Sequence, residues 1–286
     1  MTTFYKAHGL GNDFIVFCDA DVATANLTTL AMTLCDRHRG IGGDGLLLLG
    51  VGQNPADVSM RVLNSDGSEP EMCGNGIRCA VKVCVEKLGI TSNPVRVSTR
   101  AGLMTCAWGP STGHSVQWVS VDMGEAIVGP HIAQVTSIIN TDTALAVDIG
   151  NPHVALFGEF SLETICQLGP RIQALPVFPK GVNVNFATMV SVAPDTDATE
   201  IQLTVFERGA GLTLACGTGA CATTAAAAYK KWLPLGKPIT VTLPGGNLFI
   251  EVNQTDRSPD NRFRVTMTGP AEIVYQGTVE DSFLMV

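Results

Sequence analysis

One short string occurs twice in this chain and sets its architecture. Cys73-Gly74-Asn75-Gly76 and Cys216-Gly217-Thr218-Gly219 each open a stretch of helical character, 143 residues apart. The match runs upstream. Asn64 lies nine residues before Cys73 and Glu207 nine before Cys216, and Leu10-Gly11-Asn12 has a counterpart in Ile149-Gly150-Asn151 at an offset of 139. One Cys-Gly-x-Gly is within reach of chance. Two at a nearly constant offset, with flanking matches, indicate a duplicated unit and so two similar domains, each with a sheathed helix. At 286 residues the chain is long enough to bury a core without staples.

Hydrophobic periodicity supports that organisation. Strands are predicted over 14–17, 46–49, 58–63, 95–99, 103–108, 116–123, 154–157, 182–189, 201–206, 239–243, 248–252 and 264–267. Helices are predicted over about 27–38, 76–88, 161–174 and 218–233. Runs of strands with few helices between them argue an α+β fold with largely antiparallel sheets. In helix 76–88, Ile77, Ala80, Val81, Cys84, Val85 and Leu88 follow helical spacing, with Arg78, Lys82 and Lys87 elsewhere. The 220–228 stretch is small or apolar all round, so other elements must wrap it.

Composition excludes several function classes. Eighteen Lys+Arg against 26 Asp+Glu give a net charge of −8, the wrong sign for a nucleic-acid partner. Apolar runs are too short for a membrane span. Nine cysteines cannot all pair within the chain, and Met1–Lys6 lacks a basic-then-apolar leader, so thiols in a reduced, cytoplasmic compartment are expected. No Cys-x-x-Cys occurs, which argues against a structural zinc site; no metal is expected. Gly40-Ile41-Gly42-Gly43-Asp44-Gly45 satisfies G-x-G-x-x-G literally, but a helix precedes it and a strand follows, the reverse of a dinucleotide-binding loop. There is no P-loop and no G-x-S-x-G elbow.

A helix start offers unpaired N–H groups and a partial positive charge, and glycines let a ligand approach the backbone. Such a site suits a carboxylate and lowers the pKa of a cysteine placed there. Two such units facing each other put two thiols on opposite faces of one small anion. One thiolate then takes an α-proton and the opposite thiol returns one to the other face, while the adjacent carboxylate carries the developing charge. That is a stereochemical inversion without metal or cofactor. Cys73 and Cys216 are the catalytic candidates. Cys18, Cys35, Cys79, Cys84, Cys106, Cys166 and Cys221 are read as buried packing. Asn12, Asn64, Asn151, His153, Asn183, Glu207 and Arg208, in Gly- or Pro-bounded turns, are candidates for the rest of the site. A turn asparagine is commonly a local turn former and a lone histidine a satisfied structural one, but recurrence in both halves favours function for Asn12, Asn64, Asn151 and Glu207. A redox pair or a non-catalytic amino-acid-binding protein are the readings of another class; neither explains a cysteine at both helix starts.

These motifs together resemble diaminopimelate epimerase. The resemblance rests on His8-Gly-Leu-Gly-Asn-Asp-Phe14, Gly40-Ile-Gly-Gly-Asp-Gly45, Asn64-Ser-Asp-Gly-Ser68, Glu71-Met-Cys-Gly-Asn-Gly-Ile-Arg-Cys79, Gly150-Asn-Pro-His153, Glu207-Arg-Gly-Ala-Gly211, Ala215-Cys-Gly-Thr-Gly-Ala-Cys221, Leu243-Pro-Gly-Gly246 and Met267-Thr-Gly-Pro-Ala271, and it spans residues 4 to about 277. It implies a cofactor-independent two-thiol isomerase that interconverts L,L- and meso-diaminopimelate in the lysine and peptidoglycan route. Cys73 and Cys216 would be the bases. The backbone around Gly74, Asn75, Gly217 and Thr218 would hold the reacting carboxylate, and Arg208 with Asn64 and Asn183 the distal one. Asn12 and Asn151 would contact substrate, with His153 and Glu207 near its amino groups. The implied domains are 1–121 plus 272–286, carrying Cys73, and 122–271, carrying Cys216. The implied partner is a small amino acid, with a homodimer as the assembly to consider. Leu212 stands where many members have Glu, a form more similar to plant and cyanobacterial members. A related racemase acting on proline, hydroxyproline or histidine is the alternative within this class.

Overall fold

The computed structural model describes residues 1–22, 26–112, 115–139, 143–191, 199–255 and 261–284. The chain divides into two compact units, Met1–Val121 with Gly269–Val286, and Asp122–Thr268.

The first unit opens with a hairpin of β1 (Thr2–Gly9) and β2 (Asn12–Cys18). Its two-residue turn has Leu10 at φ 57° and Gly11 at φ 85°. Left-handed backbone at both positions matches the twist of the strands, and it delivers Asn12 at the first position of β2. Helix α1 (Leu27–Cys35) crosses from β2 to the parallel β3 (Gly45–Val51). Asn26, part of an Asn-x-Thr triplet, is its N-cap and accepts from the Thr29 N–H. β4 (Val58–Asn64) returns antiparallel, and helix α2 (Gly74–Lys87) crosses to the parallel β5 (Val95–Thr99). β6 (Gly102–Thr112) and the first part of β7 (Ser115–His131) continue antiparallel. On the other side of β1 lies β16 (Glu272–Val279).

The second unit repeats this order. The later part of β7 pairs with β8 (Leu145–Asp148), which forms an antiparallel pair with β9 (Pro152–Phe157). Between β7 and β8 lies α3 (Ala133–Ile139), a short helix absent from the periodicity reading. α4 (Leu162–Gln173) crosses to the parallel β10 (Asn183–Ser191), and β11 (Thr199–Glu207) returns antiparallel. After the two-residue β12 (Gly211–Leu212), α5 (Gly217–Tyr229) crosses to the parallel β13 (Pro238–Leu243). β14 (Gly246–Gln254) and β15 (Arg262–Gly269) follow antiparallel, and β15 also pairs with β7. Each unit is therefore a mainly antiparallel sheet with parallel steps only where a helix crosses. The α+β architecture of two similar halves is present in element order as well as in motif.

The second crossover helix of each unit is the one its sheet encloses. Every residue of α5 from Gly219 to Ala228 is buried, as its small, apolar composition requires. α2 is enclosed too, and the enclosure reaches past its apolar stripe: Arg78 and Lys82, which lie off that stripe, are 0% and 6% exposed. Arg78 is held by backbone and amide acceptors, donating to the carbonyls of Gly74 and Pro270 and to Asn75 Oδ1. Lys82 pairs with Glu86 at 2.8 Å and donates to the Val116 carbonyl. A buried charge is tolerated only with such partners.

Because α5 sits among five strands with alanines at the contact, added volume has nowhere to go. Ala225→Leu is expected to lower the unfolding free energy by about 1–3 kcal/mol, measured by urea denaturation.

Candidate active site

Cys73 is the N-cap of α2. Its extended backbone (φ −136°, ψ 114°) turns the thiol back over the first turn, where Sγ accepts from the Gly76 N–H at 3.4 Å. Cys216 is the N-cap of α5 with nearly the same backbone (φ −121°, ψ 104°); its sulfur lies 3.6 Å from Thr218 Oγ1 and takes a backbone hydrogen bond from Gly219. The duplicated string thus produces the same local geometry twice.

In the first unit, Asn12 is brought to Cys73 by the β1–β2 hairpin. Asn12 Oδ1 accepts from the Cys73 thiol at 3.9 Å and from Asn75 Nδ2 at 3.1 Å, and its Nδ2 donates to Asp44 Oδ2 at 2.9 Å. Gly74 and Asn75 form the buried first turn. Asn64 ends β4 in an exposed turn, where its amide donates to Ser68 Oγ.

In the second unit, His153 is the hub. It is 1% exposed, and its ring nitrogens lie 3.1 Å from Asn185 Oδ1 and 3.0 Å from Asn151 Oδ1, with Asn183 Nδ2 at 3.4 Å. Burial pushes its pKa down to about 4, so the ring is neutral near neutral pH. Asn151 Nδ2 reaches Thr218 Oγ1 at 3.4 Å, and Asn183 Oδ1 accepts from the Arg208 N–H at 2.9 Å. Asn185, absent from the sequence candidates, donates to the Gly219 carbonyl from a fully buried position. Its signal was the Asn183-Val184-Asn185 alternation, which puts two amides on one face of β10. Arg208 is exposed, with its guanidinium on the Lys180 carbonyl. Gly181, at φ 72°, keeps that path open, since a Cβ there would come within 2.7 Å of Arg208 Cδ.

The electrostatics of the two thiols differ from the symmetric expectation. A helix start alone predicts a lowered thiol pKa. At Cys216 the structure reverses this: burial pushes the thiol well above its ordinary value, and the neighbouring Glu207 carboxylate pushes it further. Glu207 is itself raised, by burial, against hydrogen bonds from Thr213 (2.5 Å) and Cys216. Desolvation outweighs half a unit of helix dipole charge when the cysteine is 4% exposed. Of the seven packing cysteines, Cys35, Cys79, Cys84, Cys106 and Cys221 are buried and Cys18 partly so; Cys166 is instead exposed, on the outer side of α4.

The diaminopimelate epimerase family model matches residues 4–128 and 145–274. The chain belongs to the diaminopimelate epimerase family. A diaminopimelate epimerase of Desulfitobacterium hafniense is 42% identical over 98% of both chains, and one of Synechocystis is 38% identical over 97% of this chain and 99% of its own. Among solved structures, a PhzF-family phenazine biosynthesis protein of Bacillus anthracis superposes with a TM-score of 0.75 at 13% identity, covering 98% of this chain and 99% of that one. A probable proline racemase of Agrobacterium radiobacter superposes at 0.71 and 15%, over 98% and 93%. These two share the family's fold.

Two outcomes follow. His153 is depressed when folded, so between pH 6.5 and 4 the unfolded chain binds the extra proton and stability falls as pH falls. The cost at pH 4.5 relative to pH 7 is about 2–3 kcal/mol, and urea unfolding of His153→Gln should lose correspondingly less over that interval. At Cys216, Glu207→Gln removes the carboxylate that raises the thiol. Iodoacetamide should then alkylate Cys216 several-fold faster at pH 8, read by site-resolved mass spectrometry.

Proposed function

We propose that this chain interconverts L,L- and meso-diaminopimelate by two-base α-proton transfer. Its main support is a thiol at the N-cap of the enclosed helix in each unit, in a chain of the diaminopimelate epimerase family. One sulfur, as thiolate, takes the α-proton: the C–H bond breaks and an S–H bond forms. The electron pair left on carbon spreads into the adjacent carboxylate, whose charge the first-turn N–H groups of Gly74, Asn75, Gly217 and Thr218 stabilise. The other sulfur, as thiol, gives its proton to the opposite face of the carbon. Cys216, raised by burial and by Glu207, holds its proton in the direction in which it is the donor and Cys73 the base, and the roles exchange in reverse.

Asn12 and Asn151 orient the reacting end. His153, neutral, holds Asn151 and Asn183 in place, and Glu207 serves the amino group and the Cys216 proton. Arg208, carried on the Asn183 amide, takes the distal carboxylate together with Asn64. A guanidinium can bind a carboxylate through two parallel N–H bonds, which a monocarboxylic amino acid such as proline does not offer at that end. The second reading, a proline- or histidine-type racemase, has no use for that grip.

In deuterated water, L,L-diaminopimelate should acquire solvent deuterium at one α-carbon as it epimerises; inversion without label would overturn the two-base scheme. Cys73→Ala and Cys216→Ala should each reduce turnover by at least 100-fold, on the order of what a positioned acid or base contributes. Turnover should survive a chelator and need no added pyridoxal phosphate. A parallel assay with proline and histidine separates the second reading.

A further inference from the structure

The Gly40–Gly45 loop, rejected as a dinucleotide site, is built tightly around one carboxylate. A Cβ on Gly40 would stand 2.2 Å from the Thr33 carbonyl oxygen, and Gly42 takes φ 84°. Lys6 donates to the Gly42 carbonyl. The residue the loop delivers is Asp44. Its Oδ1 accepts from Arg37 at 2.8 Å, and its Oδ2 accepts from the Asp13 N–H at 3.1 Å and from Asn12 Nδ2 at 2.9 Å.

A carboxylate only accepts and a guanidinium only donates, whereas an amide can present either end. Asp44 therefore fixes the Asn12 amide with Nδ2 toward the loop and Oδ1 toward α2. From the other side, the fully buried Arg78 donates to Asn75 Oδ1 at 3.0 Å, which leaves Asn75 Nδ2 to donate to Asn12 Oδ1. The bonds run one way, from Arg78 through Asn75 and Asn12 to Asp44, and pass Cys73 at Asn12 Oδ1. We propose that Asp44 is a positioning residue: it holds the Asn12 amide so that its carbonyl oxygen, not its N–H, faces the Cys73 thiol. This rests on Cys73 being the reacting sulfur proposed above. The charged groups bordering the chain are Lys6 of β1, Asp13 of β2, Arg37 beyond α1 and Arg78 of α2, with His8 of β1 engaged by Glu272 of β16.

The test reads Cys73 itself rather than turnover, so it holds whatever the substrate. Iodoacetamide alkylation at Cys73 is followed by site-resolved mass spectrometry from pH 6 to 10 in four proteins: wild type, Asp44→Leu, Asn12→Ala and the double variant. Without its tether Asn12 no longer offers the thiol an acceptor, and the protonated form loses about one hydrogen bond. Asp44→Leu should then react about threefold faster than wild type at pH 7.5, with its midpoint moved to lower pH. In the Asn12→Ala background the same change should add nothing. Equal acceleration in both backgrounds would mean that Asp44 acts through its charge or as scaffold, and would overturn the proposal; so would no acceleration in either. Asp44→Asn, which keeps the shape, runs through the same cycle in case Asp44→Leu does not fold.

Discussion

The structure depends on placing a polar helix start inside a sheet. Ordinarily the first turn of a helix leaves N–H groups to water. Here α2 begins at a part-buried cysteine and a buried glycine and α5 at a buried Cys-Gly step, and each helix stays buried over most of its length, to Cys84 and Ala228. Enclosure demands small residues, which α5 supplies as a run of alanines. In α2 it demands partners for every charge it buries, and Arg78 and Lys82 find them in main-chain carbonyls and in Glu86. At Cys216, which is buried, the first-turn dipole and the Glu207 carboxylate act on the sulfur with little screening.

That setting explains why one motif, used twice, yields unlike thiols. Cys73 keeps a capping bond to Gly76 and an amide neighbour, Asn12. Cys216 also feels the Gly219 N–H but has a carboxylate neighbour, Glu207. Asn64 and Glu207 stand at equal distances before their cysteines in sequence, but the amide in the first half lies in an exposed turn and the acid in the second reaches the thiol. The repeat preserved the backbone and let the side chains diverge.

Much of this was legible in the sequence, for identifiable reasons. Crossover helices and interior strands announce themselves by period, so α1, α2, α4 and α5 and the central strands fall where the pattern puts them. The misses have physical causes. β16 pairs with β1, has largely exposed side chains and carries no alternation; the family resemblance placed 272–286 in the first domain. The short α3 and β8 have too few residues to show a period. Arg78 and Lys82 lie off the apolar stripe of α2, and their burial depends on carbonyls supplied from Pro270 and Val116, far along the chain. The sequence likewise treats the two Cys-Gly starts as equivalent, since a raised thiol at position 216 depends on burial and on where the Glu207 side chain ends. Asp44 lies in a glycine motif that carries the resemblance, but its bond to Asn12 depends on how the loop folds beside β2 and is not readable from spacing.

The carboxylate beside only one of the two sulfurs has a thermodynamic consequence. In an interconversion of epimers, the ratio of forward to reverse kcat/KM is fixed by the free epimers in solution and owes nothing to the protein. Residue 207 neighbours one sulfur and residue 12 the other, so a change at either bears on its own sulfur first. Neither can favour one hand of the product at equilibrium. Whatever selection acts on at these two helix starts, it acts on the speed of both directions at once.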